Sequence, residues 1–428
     1  MMSIIKINSK KISGFRPTNS RFVLALFWIM ILFQLTMFKH IWVIRGPARF
    51  FNLVSLLMVS VYAAHFISSH RFNKNVWNFY ILPGLFVFFG IFLNIALNSV
   101  RDLKVMNYFG MMLPWAVYLA MPSLLKNNTC DSETLWRYFY YFMLAVVSLG
   151  LLEYFWIFSR EPLLRIIFTP GGEFLAGSFS ILYPLQGGSP GSRFYACFGE
   201  PGSLAMFLLP AALYAYYHKK YIGLVVFIAG LYFSKSFGGI IGVAVIIPLI
   251  FFLATNKRRI HLFIAVLVLI LASSVLVMNY GGKILSVYEE RVKFRNVRGD
   301  TFKNTMKNLA TIIVNNPIGF KFEGKSASAS KSKDYYGSNF RPGNALQMGG
   351  ISAFLGYIFI LGVSLMVAFL SIMRKGLSLE EKVVFCSLIV LFPFIFQREA
   401  VWDSAIFAFL FAPSIIRFLQ SRDNVHRR

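Results

Sequence analysis

"RFYACFGEPGSLAMFLLPAALYAYYHKKYIGLVVFIAGLYFSKSFGGIIGVAVIIPLIFFLATNKRR", residues 193–259, is the stretch that decides the fold. Three apolar runs, 201–217, 221–234 and 238–254, are separated by turns that hold Lys219, Lys220 and Lys235. Each run approaches the roughly 20 residues that carry a helix across a bilayer. Cations gather at the turns because a charge inside hydrocarbon is costly. One feature does not follow from spanning alone: Arg193, Glu200 and a Pro-Gly pair stand directly against the head of the first helix. Pro201 suits a first helical turn, where its missing N–H has no partner to lose. Glu200 favours the positive end of the helix dipole, which accounts for it as a cap. Neither argument explains Arg193, nor Gly199 and Gly202, which permit close backbone approach.

The same pattern runs along the whole chain of 428 residues. Hydrophobic residues make up 57 % and charged ones 14 %, too few charges for a soluble domain, which carries roughly 25 %. The reading is an all-α polytopic membrane protein of about twelve spans. The spans are 22–38, 50–67, 79–97, 105–125, 138–158, 201–217, 221–234, 238–254, 260–278, 349–371, 383–397 and 404–416. The first follows basic residues without a small-residue cleavage site and reads as a retained span. The regions are a cytoplasmic tail (1–21), N-terminal membrane helices (22–158) and a first long external loop (159–200). Central helices (201–278), a second long external loop (279–348), C-terminal helices (349–419) and a cytoplasmic tail (420–428) complete the chain.

The net charge of +26 would suggest nucleic acid in a soluble protein; in a membrane its placement says otherwise. With the N-terminus inside, the inner segments hold 21 Lys and Arg, against 7 in the short outer loops. Long loops are largely exempt from the positive-inside rule, so this contrast sets both termini in the cytoplasm. Glu153, in "LGLLEYFWIF", is the one acidic residue within a span, as a functional group or as a helix-end residue reaching headgroup water.

The first long loop has turn-forming Gly, Ser and Pro clusters, and its "PLLRIIF" suits a short amphipathic piece on the interface. The second holds 12 basic and 5 acidic residues, so it carries a field of one sign. Arg291, Arg295 and Arg298 fall at i, i+4 and i+7, one helix face. Phe302, Met306, Leu309 and Ile313 form an apolar stripe with Lys303 and Lys307 beside it, and Pro317 stops that helix. Forked arginine donors match phosphate oxygens, so a diphosphate is the natural ligand, with a solvated charged face as the plainer alternative. Lys235 adds to the same field. No Walker loop, nucleophile elbow or metal-spaced His or Cys set occurs; Cys130, Cys197 and Cys386 lie far apart.

Four segments then resemble those of O-antigen polymerases of the Wzy type, in the O-antigen polymerase and ligase superfamily. "RFYACFGEPGSLAMFLLPAAL" resembles the family's Arg…Gly-Glu-Pro segment that opens a span, and "YFSKSFGGIIGVAV" its Ser-Arg/Lys-Ser/Gly segment. "RGDTFKNTMKNLATIIVNNPIGFKF" resembles its external-loop segment ending in Asn/His-Pro-hydrophobic-Gly. "NALQMGGISAFLGYIFILG" is similar to the segment that enters the following span. Together they cover about 193–365; the N-terminal half resembles the family only as spans, and Arg160 and Gly171 fit an Arg-x10-Gly pattern of some polymerases.

The resemblance implies a GT-C-type membrane glycosyltransferase of the bacterial inner membrane with a periplasmic active site. Its substrates would be undecaprenyl-diphosphate-linked glycans, polymerised into O-antigen or a related surface polysaccharide in lipopolysaccharide biosynthesis. It implies no cofactor and no metal, no nucleic acid, and a chain-length regulator and a flippase as partners. On that reading Glu200 and Arg298 are catalytic, the glutamate orienting or deprotonating the acceptor hydroxyl, with Glu399 as a second choice. Arg193, Lys235, Arg291, Arg295, Asn344 and Arg398 bind the diphosphate or substrate. Ligases typically have a histidine where Asn344 stands, which favours polymerase over ligase. The alternatives are an O-antigen ligase using the same donor, and a lipid-linked oligosaccharide flippase or other transporter.

Overall fold

The computed structural model describes residues 24–29, 53–64, 67, 72–99, 105–126, 132–157, 166–167, 176–177, 181–182, 193–196, 198, 201–234, 236–254, 313–314, 317–319, 341–374, 377–392, 394, 402 and 404–426. They form a helical bundle with one small sheet at one end. In chain order, α1 is Leu53–Ala64. The core of α2 is Leu82–Asn94, preceded by Lys74–Val76 and the π-helical turn Trp77–Ile81 and followed by a second π-helical turn, Ile95–Ser99. Then come α3 (Val105–Lys126), α4 (Ser132–Ile157), α5 (Pro201–Tyr217), α6 (Tyr221–Ser234) and α7 (Phe237–Ala254). The C-terminal third is α8 (Arg341–Ile372), α9 (Leu379–Leu391) and α10 (Ala405–His426).

Three helices, spanning Lys74–Leu97, Ser132–Phe155 and Ala345–Ile372, are long and apolar enough to cross a membrane; the others described are shorter. The expected spans 79–97, 105–125, 138–158, 201–217, 221–234 and 238–254 coincide with helices α2 to α7. Near the C-terminus the boundaries differ from expectation. Helix α9 starts at Leu379 and ends at Leu391, short of residue 397, because Pro393 cannot continue its hydrogen-bond ladder. Its start is fixed by a capping box: Ser378 Oγ accepts from Glu381 N–H, and the Ser378 N–H donates to Glu381 Oε2. The expected span 260–278 and the arginine face 291–298 lie outside the described residues.

The first long loop contributes the sheet, an addition to the all-helical expectation. Two-residue strands β1 (Ile166–Ile167), β2 (Ala176–Gly177), β3 (Ile181–Leu182) and β4 (Arg193–Phe194) pair antiparallel in that order. Ile166 pairs with Gly177 and Ile181 with Phe194. The "PLLRIIF" segment thus contributes Ile166–Ile167 to a strand, where the sequence suggested an amphipathic piece on the interface. β-Branched pairs favour a pleated ladder, and a strand partner close in the chain supplied the backbone bonds.

One proline within a helix leaves a carbonyl that a side chain of another helix satisfies. Pro122 has no N–H for the Tyr118 carbonyl four residues back, and Tyr80 Oη donates to it at 2.9 Å. The two tyrosine rings stack with centroids 4.0 Å apart, which joins α2 to α3 antiparallel. Pro83 likewise lies four residues after Phe79, within the π-helical turn that widens α2 there. Between α5 and α6 the chain reverses in three residues: Lys220 N–H donates to Ala215 O and Lys219 N–H to Tyr216 O. This is a Schellman turn with Lys219, at φ 56°, in the place glycine usually takes. Lys220 Nζ then lies 4.4 Å from the centroid of the Tyr140 ring and 4.5 Å from that of Tyr141, cation–π contacts that seat the turn on α4.

Candidate functional site at the sheet end of the bundle

Two of the sequence motifs come together at the sheet end. Helix α4 runs toward it, and Tyr154 in its last turns packs edge-on against Phe194 of β4, centroids 6.0 Å apart. Phe233, at the end of α6, packs on both Tyr154 and Phe155. Glu153 is half-buried beside this cluster, near the end of its helix and away from the middle of the span.

After β4 the chain turns on itself: Phe198 N–H donates to Tyr195 O at 2.9 Å, with Ala196 at φ 43°. A left-handed non-glycine residue costs on the order of 1–3 kcal/mol, and three buried aromatics hold it. Phe194 and Tyr195 are fully buried, and Phe198 stacks on Phe207 of α5, which stacks on Phe407 of α10. The backbone of Arg193 and the start of α5 at Pro201 therefore flank the anchored Tyr195–Phe198 turn in the chain. The arginine and the glutamate of this motif lie on either side of it in the chain. Glu200 itself and the Arg193 side chain lie outside the described residues.

The second motif, "YFSKSFGG", joins α6 to α7 at the same end. Ser234 Oγ donates to Leu231 O at 2.7 Å and accepts from Ser236 N–H; Ser236 Oγ accepts from Gly239 N–H. The two serines thus bridge the turn and cap α7, a local structural duty that the sequence by itself did not assign. Lys235 lies between them in sequence and outside the described residues. A Cβ on Gly239 would lie 3.2 Å from Ala205 Cβ, so the first turns of α5 and α7 run side by side here. Motifs one and two are thereby neighbours.

The third and fourth motifs form a second pair. Pro317–Gly319, from "NNPIGF", lies against the break in α8 at Gly349–Gly350. Ile351 N–H donates to Pro317 O at 3.0 Å. Asn94, at the end of the α-helical part of α2, donates from Nδ2 to Gln347 O at 3.3 Å and Met348 O at 2.7 Å. The backbone of Asn344 stands in the arm of α8 before the break; its side chain lies outside the described residues.

No protein-family model, curated protein or solved structure matches this chain. The site is therefore described by its own geometry.

Arg398 belongs to the connection between α9 and α10, whose described residues Phe394, Trp402 and Ser404 are buried. Trp402 is buried, donates from Nε1 to Ser364 Oγ at 3.1 Å and packs edge-on against Tyr118. Ser364 lies fourteen residues beyond Gly350 along α8, about 21 Å at 1.5 Å per residue. Trp402, just before α10, thus lies well below the level of the α8 break. Phe394 and Ser404 are buried as well, so both flanks of the segment carrying Arg398 and Glu399 lie within the protein. Arg291, Arg295, Arg298 and Arg398 themselves lie outside the described residues.

Proposed function

We propose that this chain is a membrane glycosyltransferase that polymerises undecaprenyl-diphosphate-linked oligosaccharide repeat units into O-antigen or a related surface polysaccharide. The reading places it in the bacterial inner membrane, both termini cytoplasmic, with about twelve spans in a GT-C-type arrangement and the reaction on the outer face. The observation that carries it is the grouping of four resembling segments, distant in sequence, as two packed pairs. β4 and the head of α5 adjoin the Ser234–Ser236 turn, and Pro317–Gly319 adjoins Gly349–Gly350.

In the proposed reaction the acceptor hydroxyl oxygen attacks the anomeric carbon of the donor glycan. The bond from that carbon to the lipid diphosphate breaks, and the diphosphate leaves with the electron pair. The acceptor proton passes to the Glu200 carboxylate, held at a helix mouth where a base has access to substrate. Negative charge grows on the diphosphate, and preplaced cations stabilise it: Arg193, Lys235, Arg291, Arg295 and Arg298, with Arg398 as a further one. Fixing two membrane-anchored substrates in register supplies part of the rate by itself.

The test is deletion of the gene, followed by gels of surface glycans and of lipid-linked intermediates. Collapse of the ladder to a core bearing one repeat is the expected result. Long polymer retained on its lipid carrier would instead make the chain a ligase, and an unaltered pattern would remove both readings. Complementation with Glu200→Gln should restore the ladder poorly, since general-base catalysis contributes roughly 100-fold or more. Full restoration would leave Glu200 a helix cap.

A further inference from the structure

The break in α8 is built by an exchange of hydrogen bonds among three segments. In an unbroken helix the Gln347 carbonyl would accept from the Ile351 N–H. Here that N–H goes to Pro317 O, within the second basic loop, at 3.0 Å. Asn94 restores what the helix has lost, donating to the Gln347 and Met348 carbonyls. The carboxamide is fully buried, where an unpaired polar group is costly. Gly319, at φ 109°, completes the contact: a Cβ there would lie 2.8 Å from Asn94 Nδ2 and 2.8 Å from Gln347 O. A Cβ on Gly90 would lie 2.5 Å from Gly349 O, so the helices touch backbone to backbone at this point.

Such a junction is unnecessary for crossing a bilayer, since a continuous helix would satisfy its own backbone. It fixes two things at once. The arm Arg341–Met348, which holds Asn344, is aimed by the break, and Pro317–Gly319 of the basic loop is fastened to the bundle. We propose that Asn94 is a positioning residue for the transfer reaction, acting through the Gln347–Met348 carbonyls to hold the Asn344 arm of α8 in register with the Pro317–Gly319 turn. This role rests on the glycosyl-transfer reading of the preceding section. It adds a residue from the part of the chain before residue 193, which the four motifs do not reach.

The full chain is reconstituted in proteoliposomes with, as donor and acceptor, the lipid-linked glycan extracted from a strain lacking the gene. Asn94→Ala should raise the KM for this lipid about tenfold, because a loosened arm no longer presents its diphosphate partners in register. A fall in the folded fraction lowers the maximal rate and leaves KM unchanged, so KM separates positioning from mere stability. Gly319→Ala disturbs the same clamp from the loop side and should give the same KM shift, which covers the case in which the Asn94 variant fails to fold.

Trypsin cleavage within residues 279–348 gives a readout free of the reaction. Either variant should accelerate it severalfold. Unchanged KM and unchanged cleavage in both variants would refute the clamp. Faster cleavage with unchanged KM would leave a tether and overturn the positioning role. Should the wild-type protein form no glycosidic bond from this lipid while surface glycans still depend on the gene, the transfer reading falls and the positioning role with it. The cleavage comparison would still decide the clamp.

Discussion

Replacing Gly350 by alanine tests the α8 junction most directly. Gly350 has φ 64° and ψ −157°, a conformation that residues with a Cβ scarcely adopt, and holding one there costs about 1–3 kcal/mol. The new Cβ would lie 2.1 Å from Pro317 O, 2.5 Å from Ile318 C and 2.7 Å from Ile318 Cα. All three are backbone atoms of a turn already held between α2 and α8, so no side chain can swing aside. Overpacking against such a surface costs typically about 1–3 kcal/mol. Displacing the turn also stretches the Ile351 N–Pro317 O bond, worth about 1 kcal/mol. The sum is about 3–7 kcal/mol, roughly a hundredfold or more in the folding equilibrium. Gly362 is the control, twelve residues on in the same helix, where a Cβ would meet nothing within 4 Å. Gly362→Ala should be neutral or gain up to about 1 kcal/mol through helix propensity. Unfolding of both variants by SDS in mixed micelles, followed by tryptophan fluorescence, gives the comparison. Equal stability of the two variants would refute the packing argument at the Gly350 junction.

Two further outcomes concern the opposite end of the bundle. Lys219→Gly should stabilise the protein by about 1 kcal/mol, since a left-handed residue with a Cβ costs roughly that much. A thermal melt in detergent that does not rise would mean that Lys219 makes a compensating contact. His218 stacks on Tyr214 with centroids 4.1 Å apart, and burial, with Lys220 nearby, lowers its pKa below the usual imidazole value. Because the folded state binds that proton less readily than the unfolded chain, stability is fully present above the unfolded pKa of about 6.5. It declines as pH falls from there toward the lowered folded value. Wild type should therefore lose more stability than His218→Gln between about pH 7 and pH 5, and parallel curves would remove His218 from the account.

At the candidate site, the sequence conveyed residue types and the structure conveyed adjacency. The Ser234–Ser236 pair was legible as part of a motif, yet its task became clear only when both hydroxyls were seen bridging a turn. Asn94 gave no signal, because an asparagine in an apolar run has no periodicity to mark it, and its partners lie 253 and 254 residues away. A buried carboxamide finds its worth in carbonyls that a distant helix leaves unpaired, and no local pattern encodes that. The doublet Gly349–Gly350 was the available clue, since adjacent glycines within a span announce a break or a close approach.

Helix placement in the middle of the chain followed from the sequence by itself, because apolar length and the avoidance of charge in hydrocarbon are local properties. Thus α5, α6 and α7 stand where residues 201–217, 221–234 and 238–254 were expected. Tertiary structure alone decided how far each helix reaches and what fills its interruptions. Pro122 is tolerable because Tyr80 supplies the missing donor, and α10 begins deep because Trp402 is tied to Ser364. The physical reason is common to both: a buried backbone or side-chain polar group must find a partner, and that partner is chosen by packing across the bundle.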